Sequence, residues 1–132
     1  MADYALTIER HAAYLHATVH GDNTPAMIVR YMAEIREACL RERIFNVLIV
    51  VDLEGPGLSM LEVYKAIERS VDPATGLGLQ VAYVDLNPEH SDANMLIGEN
   101  VAMTRGIRSH TFRDVNAARE WLLQQIAGAQ HA

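Results

Sequence analysis

Several kinds of residue are scarce in this 132-residue chain, and each scarcity excludes a class of protein. The single cysteine, Cys39, cannot form an internal disulfide, which is typical of proteins in a reducing cytoplasm. Lys65 is the only lysine and the net charge is −6, which argues against a nucleic-acid partner because neutralising phosphates requires a basic surface. No apolar run approaches the ~20 residues of a membrane span, and the first residues do not resemble a signal peptide. We therefore expect a cytoplasmic protein without a membrane span.

The rest of the composition is that of an ordinary folded domain, with 50% hydrophobic and 21% charged residues. A chain of this length buries roughly two-thirds of its unfolded surface, so it needs neither disulfides nor metals to fold. We predict one domain over residues 1–132, in which the small polar tail, residues 127–132, is frayed.

Hydrophobic periodicity predicts the secondary structure. Two alternating segments near the start predict an antiparallel hairpin, and helices then separate each later strand from the next, which requires parallel strands. The result is an α/β domain: a five-stranded mixed sheet, with the hairpin followed by a parallel βαβαβα unit, and four helices. The predicted strands are Tyr4–Arg10, Tyr14–His20, Val47–Val51, Val81–Leu86 and Ile107–Phe112, and the helices are one from Pro25, Ser59–Ser70, Asp92–Arg105 and one from Asp114.

The segment that follows the third predicted strand is the part of the sequence most typical of a binding site. The aliphatic run before it, Val47 to Val51, predicts a strand buried on both faces in the middle of the sheet. Asp52 and the Gly/Pro-rich loop Glu54–Leu58 follow, and Ser59 with Glu62 three residues later is typical of a capped helix start. Such strand–loop–helix junctions are where open α/β sheets most often bind ligands and partners. We therefore predict the working surface here.

Three motifs, in this order of elements, resemble a known family. They are Asp52-Leu53-Glu54-Gly55, then Asn100-Val101-Ala102 with Arg105-Gly106, and finally Phe112, Asp114, Ala118, Trp121 and Leu122 in the last strand and helix. Together they resemble the SpoIIAA-like proteins of the STAS/SEC14-type superfamily, which are small bacterial relatives of anti-sigma-factor antagonists. The resemblance covers roughly Tyr4 to Ile126. It implies a STAS-like, non-enzymatic protein-binding domain that is often dimeric.

Ser59 has two interpretations. In the antagonists of this superfamily a phosphorylatable serine begins the helix after the central strand, so the resemblance implies a possible phosphosite at Ser59. A serine at that position also caps the helix, which is worth about 1 kcal/mol. Glu54 and Glu62 would repel a phosphate placed there. The residue types therefore favour the cap.

A second group of candidates consists of acidic residues at strand ends. Asp52 and Asp85 end two predicted parallel strands, so they could converge at one edge of the sheet. Paired carboxylates there could bind Mg²⁺ or perform acid–base chemistry beside a pocket lined by Tyr83 and Tyr64. The alternative is that these carboxylates cap turns or face water. Asn87 then begins a segment, through Asp92, that we expect to form an exposed lip.

The spacing of histidine, cysteine and serine residues does not indicate a metal site or a catalytic nucleophile. His16 and His20 lie about 13 Å apart on a strand, too far to hold one ion, and no zinc-binding spacing occurs. Cys39 falls on a helical stripe that should be buried and inert, and no Gly-x-Ser-x-Gly nucleophile motif occurs. We predict no metal, no cofactor and no enzymatic activity.

The sequence therefore predicts a non-catalytic cytoplasmic binding module for a regulatory protein partner, as in anti-sigma-factor antagonists, or for a second copy of itself. The alternative is a small-molecule or lipid binder, or a weak enzyme, with a pocket at the carboxyl ends of the parallel strands. The candidate binding residues are Asp52, Glu54, Gly55, Gly57, Ser59, Asp85 and Asn87.

Overall fold

The computed structural model describes residues 3–71 and 78–130. Strands and helices follow one another in the predicted order. The elements are β1 (Ala5–Arg10), β2 (Leu15–Asp22), α1 (Pro25–Glu42), β3 (Asn46–Glu54), α2 (Met60–Val71), β4 (Gln80–Asp85), α3 (Asp92–Thr104), β5 (Arg108–Phe112) and α4 (Val115–Gln130). Helix α4 thus includes the first residues of the predicted tail, and 131–132 lie outside the described residues.

The predicted five-stranded mixed sheet is confirmed. Its strand order is β1-β2-β3-β4-β5, with β1 antiparallel to β2 and all other neighbours parallel. Because helix α1 connects β2 to β3, the second strand of the hairpin also belongs to the parallel set. Strand β3 lies in the middle of the sheet, and Val47 to Val51 are all buried, as the aliphatic run predicts.

Helices cover both faces of this sheet. Val47, Ile49 and Val51 pack in one core cluster with residues of α1, α2 and α3, whereas Leu48 and Val50 pack in a second cluster with α4. Since successive side chains of a strand point to opposite faces, both kinds of position must be apolar. This double coverage is the physical reason for the unbroken aliphatic run.

Helices α1 and α4 each bury one side against the sheet. Helix α1 begins after Thr24, whose side chain accepts a hydrogen bond from the Met27 N–H, and Pro25 occupies the first helical position. Helix α4 packs Ala118 and Leu122 against the sheet. The buried residues of α1 are Ile28, Tyr31, Ile35, Ala38 and Cys39.

Helix α2 buries only part of the stripe that its spacing predicts. Helical spacing places Met60, Tyr64, Ile67 and Val71 on one apolar stripe. Ile67 packs against the core, whereas the Met60 and Tyr64 side chains are 62% and 44% exposed. The helix also buries Ala66, at the margin of this stripe, so the spacing predicts the covered face only approximately.

Within residues 3–71 and 78–130, no helix combines the length and the apolar character needed to cross a membrane.

Candidate functional site

A cavity of about 100 Å³ lies between the sheet and helices α1, α2 and α3, and it is only partly enclosed. Its lining is predominantly apolar. Tyr83 of β4 lines this cavity as expected, whereas the exposed Tyr64 does not. The apolar lining residues are Ile28, Met32, Leu58, Val63, Ile67, Val81, Met95, Ala102 and Ile107.

A buried Asp–His pair forms the polar end of the cavity, at the carboxyl end of β4. Asp85 and His90 are each only 6% exposed. The His90 Nδ1 atom lies 2.7 Å from the Asp85 Oδ2 atom, and the other carboxylate oxygen accepts a hydrogen bond of 2.9 Å from the Asn87 N–H. The prediction of an exposed lip is therefore wrong for His90, because the buried carboxylate requires partners and the imidazole supplies one.

The second ring nitrogen of His90 is also occupied. Its Nε2 atom lies 3.2 Å from the Asn23 side-chain nitrogen and 3.2 Å from the Gly55 carbonyl oxygen. A neutral ring that donates from Nδ1 to Asp85 accepts at Nε2 from Asn23, whereas a protonated ring donates to Gly55. In either state this nitrogen has a hydrogen-bond partner within the protein.

The predicted working loop, Glu54–Leu58, is exposed but tethered. Residues 54–57 are exposed, and Gly55 adopts a left-handed φ of 104°, which favours glycine. The Asn23 side chain donates to the Pro56 carbonyl over 3.0 Å, and the Asn94 side chain donates to the Leu58 carbonyl. This loop, which we call the acidic corner, therefore lies against the cavity in a fixed position.

Ser59 caps helix α2 through a reciprocal pair of hydrogen bonds. The Glu62 N–H donates to the Ser59 hydroxyl oxygen over 3.2 Å, and the Ser59 N–H donates to the Glu62 carboxylate over 2.9 Å. The predicted cap is thereby confirmed. These bonds lower the pKa of Glu62, so a phosphate on Ser59 would face an ionised carboxylate.

Asp52 does not approach Asp85. Strand register pairs Asp85 with Val51, so Asp85 shares the face of α1–α3 and Asp52 points to the opposite face. There the carboxylate of Asp52 lies 3.6 Å from His20 Nδ1, its neighbour in β2. The prediction of a carboxylate pair is therefore wrong, because successive side chains of a strand alternate between faces.

Asn87 and Arg113 hold the segment after β4 in place. The Asn87 side-chain nitrogen donates to the Leu53 carbonyl over 2.9 Å, which ties this segment to β3. The Arg113 guanidinium donates to the backbone carbonyls of Asp85, Asn87 and His90, and it pairs with the Asp92 carboxylate. Arg113 and Asn23 were not predicted as site residues, because their partners are distant in the sequence.

Two further polar groups border the cavity. The hydroxyl oxygens of Tyr31 and Tyr83 lie 2.8 Å apart, and burial raises the pKa of both phenols, so both stay protonated. The Glu99 carboxylate accepts a hydrogen bond of 2.8 Å from the outward N–H of Thr111 in β5 and lies 3.2 Å from His110 Nδ1.

Comparisons with known proteins found no matching family model and no matching curated protein. The resemblance to SpoIIAA-like proteins therefore stays a prediction. The candidate site rests on its geometry alone.

Proposed function

We propose that the protein is a non-catalytic module that binds a small, uncharged, largely apolar ligand in the cavity between the sheet and α1–α3. The observation that carries this proposal is the cavity itself, which has apolar walls and a few convergent polar groups at one end. Its volume of about 100 Å³ compares with the ~150 Å³ of an engineered apolar cavity that holds benzene. The ligand, or the part of it that enters, is therefore a small ring or short chain.

The charges at the polar end favour an uncharged ligand. The carboxylates of Asp85 and Glu99 both line the cavity and disfavour an anion. Each already accepts hydrogen bonds from the protein, Asp85 from Asn87 and Glu99 from Thr111, with an imidazole beside each. A cation would find both carboxylate oxygens of Asp85 and the Oε1 oxygen of Glu99 already used, so it gains little at these three atoms.

Tyr83 supplies the polar contact of this proposal. A pair of hydroxyls uses only one of its two protons internally, and among the described residues neither Tyr31 nor Tyr83 has another hydrogen-bond partner. When Tyr31 donates to Tyr83, the Tyr83 proton is free to donate to the ligand. The matching group on the ligand is a neutral acceptor, such as a carbonyl oxygen.

Two observations support a non-catalytic role. His90 Nε2, the nitrogen that a general base would use, is occupied by Asn23 and Gly55. Burial raises the pKa of the Cys39 thiol to about 11, which keeps this potential nucleophile protonated and inert.

Chemical-shift titration by NMR on ¹⁵N-labelled protein tests the ligand class. We expect cyclopentanone to shift the amides that surround the cavity, and to bind more tightly than cyclopentane or the cyclobutanecarboxylate anion. Tyr83→Phe should weaken the binding of cyclopentanone about fivefold, which corresponds to the loss of one hydrogen bond of ~1 kcal/mol. The affinity for cyclopentane should not change. Tyr64→Phe, on the outer side of α2, is the matched control. Equal affinity for the carboxylate, or shifts away from the cavity, would contradict the proposal.

The exposed face of α2 favours a second function. Met60, Leu61 and Tyr64 are 62%, 61% and 44% exposed and lie beside the acidic corner, where the sequence predicts docking. We propose that a second copy of this chain binds there, in the manner that the resemblance to dimeric cytoplasmic antagonists implies.

Size-exclusion chromatography with light scattering tests this self-association. Leu61→Glu should convert the dimer to a monomer, whereas Leu123→Glu, which changes a 43% exposed leucine on α4, should not. A wild-type protein that stays monomeric at high concentration would refute it.

A further inference from the structure

The hairpin carries a cluster of metal-binding side chains on the face that it shares with α4. Strand pairing places Glu9 of β1 directly opposite His16 of β2. His11 follows β1 at the turn, where its N–H bonds the Tyr14 carbonyl over 2.9 Å. One ligand atom from each of the three side chains lies within 4.8 Å of the other two.

The position of His11 is supported by its neighbour. Its ring stacks on Tyr14 with centroids 4.7 Å apart and planes inclined by 4°, and Tyr14 is itself buried against α4. The His11 Nε2 atom lies 4.0 Å from the Glu9 carboxylate, and the rings of His11 and His16 are 6.1 Å apart. The turn therefore directs both imidazoles and the carboxylate toward one point.

We propose that Glu9, His11 and His16 form a binding site for one divalent transition-metal ion of the Zn²⁺ class. Two imidazoles and one carboxylate are ligands that such ions accept, and water completes the coordination. Zinc–ligand distances of ~2.0–2.1 Å place tetrahedral ligand atoms roughly 3.4 Å apart. The side chains reach that spacing from the observed one by movements of about 1 Å.

Two charged groups near the cluster act on the ion in opposite directions. Glu9 contributes a negative charge, whereas Arg119 on α4 opposes the ion. The site lies on the opposite face of the sheet from the cavity, so it is independent of the proposed ligand.

Equilibrium dialysis of the untagged full chain against ZnCl₂ tests the proposal. We expect one tight Zn²⁺ per chain, and at least a ~10-fold loss of affinity in Glu9→Gln, His11→Ala or His16→Ala, since even second-shell changes cost about 10–100-fold. His20→Ala removes an exposed histidine of the same strand face outside the cluster, and it should retain the ion. Arg119→Gln removes the opposing charge and should tighten binding.

Circular dichroism of each variant separates loss of a ligand from loss of the fold, and Glu9→Gln changes only an exposed side chain. Wild-type Zn²⁺ affinity in folded Glu9→Gln and His16→Ala would overturn the proposal. Equal losses in His20→Ala would overturn it as well, because the ion would then bind surface histidines without selection.

Discussion

Replacement of Gly98 by alanine tests the packing at the cavity wall most directly. Gly98 lies inside helix α3 and lines the cavity. A Cβ atom built there would lie 3.6 Å from the Ile67 Cγ1 atom and 3.9 Å from the Val63 Cγ1 atom, which are ordinary contacts. Alanine should therefore be accepted between α2 and α3 without movement of either helix.

The expected stabilisation has two parts. Exchanging glycine for alanine in a helix interior contributes about 1 kcal/mol, and burial of one methyl group contributes up to about 0.8 kcal/mol. Gly98→Ala should therefore raise the free energy of unfolding by about 1–2 kcal/mol, and the Tm by roughly 3–6 °C. Urea and thermal unfolding followed by circular dichroism measure both quantities.

Gly128→Ala in α4 is the matched control, because nothing lies within 4 Å of its Cβ position and only helix propensity contributes. The stabilisation by Gly98→Ala should exceed that by Gly128→Ala by the contribution of the buried methyl group. Gly98→Ala should also weaken the binding of cyclopentanone, because the methyl group narrows the cavity. If Gly98→Ala destabilises the protein, helices α2 and α3 lie too close together to accept a methyl group, and the cavity is then smaller than about 100 Å³.

Three further predictions concern the site and the core. His90→Ala should cost ~3 kcal/mol in urea unfolding, because it leaves the Asp85 carboxylate buried without its imidazole partner; the Asp85→Ala/His90→Ala protein should lose less than the sum of the single changes, and additive losses would exclude the coupling. Ser59→Ala should cost about 1 kcal/mol while Ser59→Asp keeps the cap, and equal losses would contradict that role. The pKa of Cys39 is raised from 9.0 to about 11, so its contribution to stability is complete below pH 9 and is lost as the pH rises to about 11; this loss is about 2 kcal/mol and should be absent in Cys39→Ala, and identical pH profiles would refute it.

Local patterns determined most of the fold in advance. The alternation of the hairpin strands and the aliphatic run of β3 each reflect which faces are covered, and that information is contained in neighbouring residues. Helix α2 is the exception, because Met60 and Tyr64 at one margin of its apolar face remain exposed, while Ala66 at the other margin is buried. Which margin is covered depends on how α1 and α3 pack against α2, which no local pattern contains.

The candidate site depended on register and long-range contacts. Asp52 and Asp85 both end predicted strands, but Asp85 pairs with Val51, and this one-residue difference in register sends the two carboxylates to opposite faces. The pairing of Glu9 with His16 also depended on register, because the predicted strands leave a three-residue turn that would place Glu9 opposite Leu15, whereas the turn has four residues, 11–14. Arg113 could not be predicted, because its partners are the carbonyl groups of a loop that is more than 20 residues away.

The bond between Glu99 and the Thr111 N–H has a consequence for self-assembly. Strand β5 is the last of its sheet, and an exposed terminal strand invites pairing with the backbone of another molecule. Here one of its outward donors is already taken by a side chain from α3. Fibril-like growth of the sheet should therefore begin at β1. Glu99→Ala should free the Thr111 N–H, so that β5 can pair with another molecule as well.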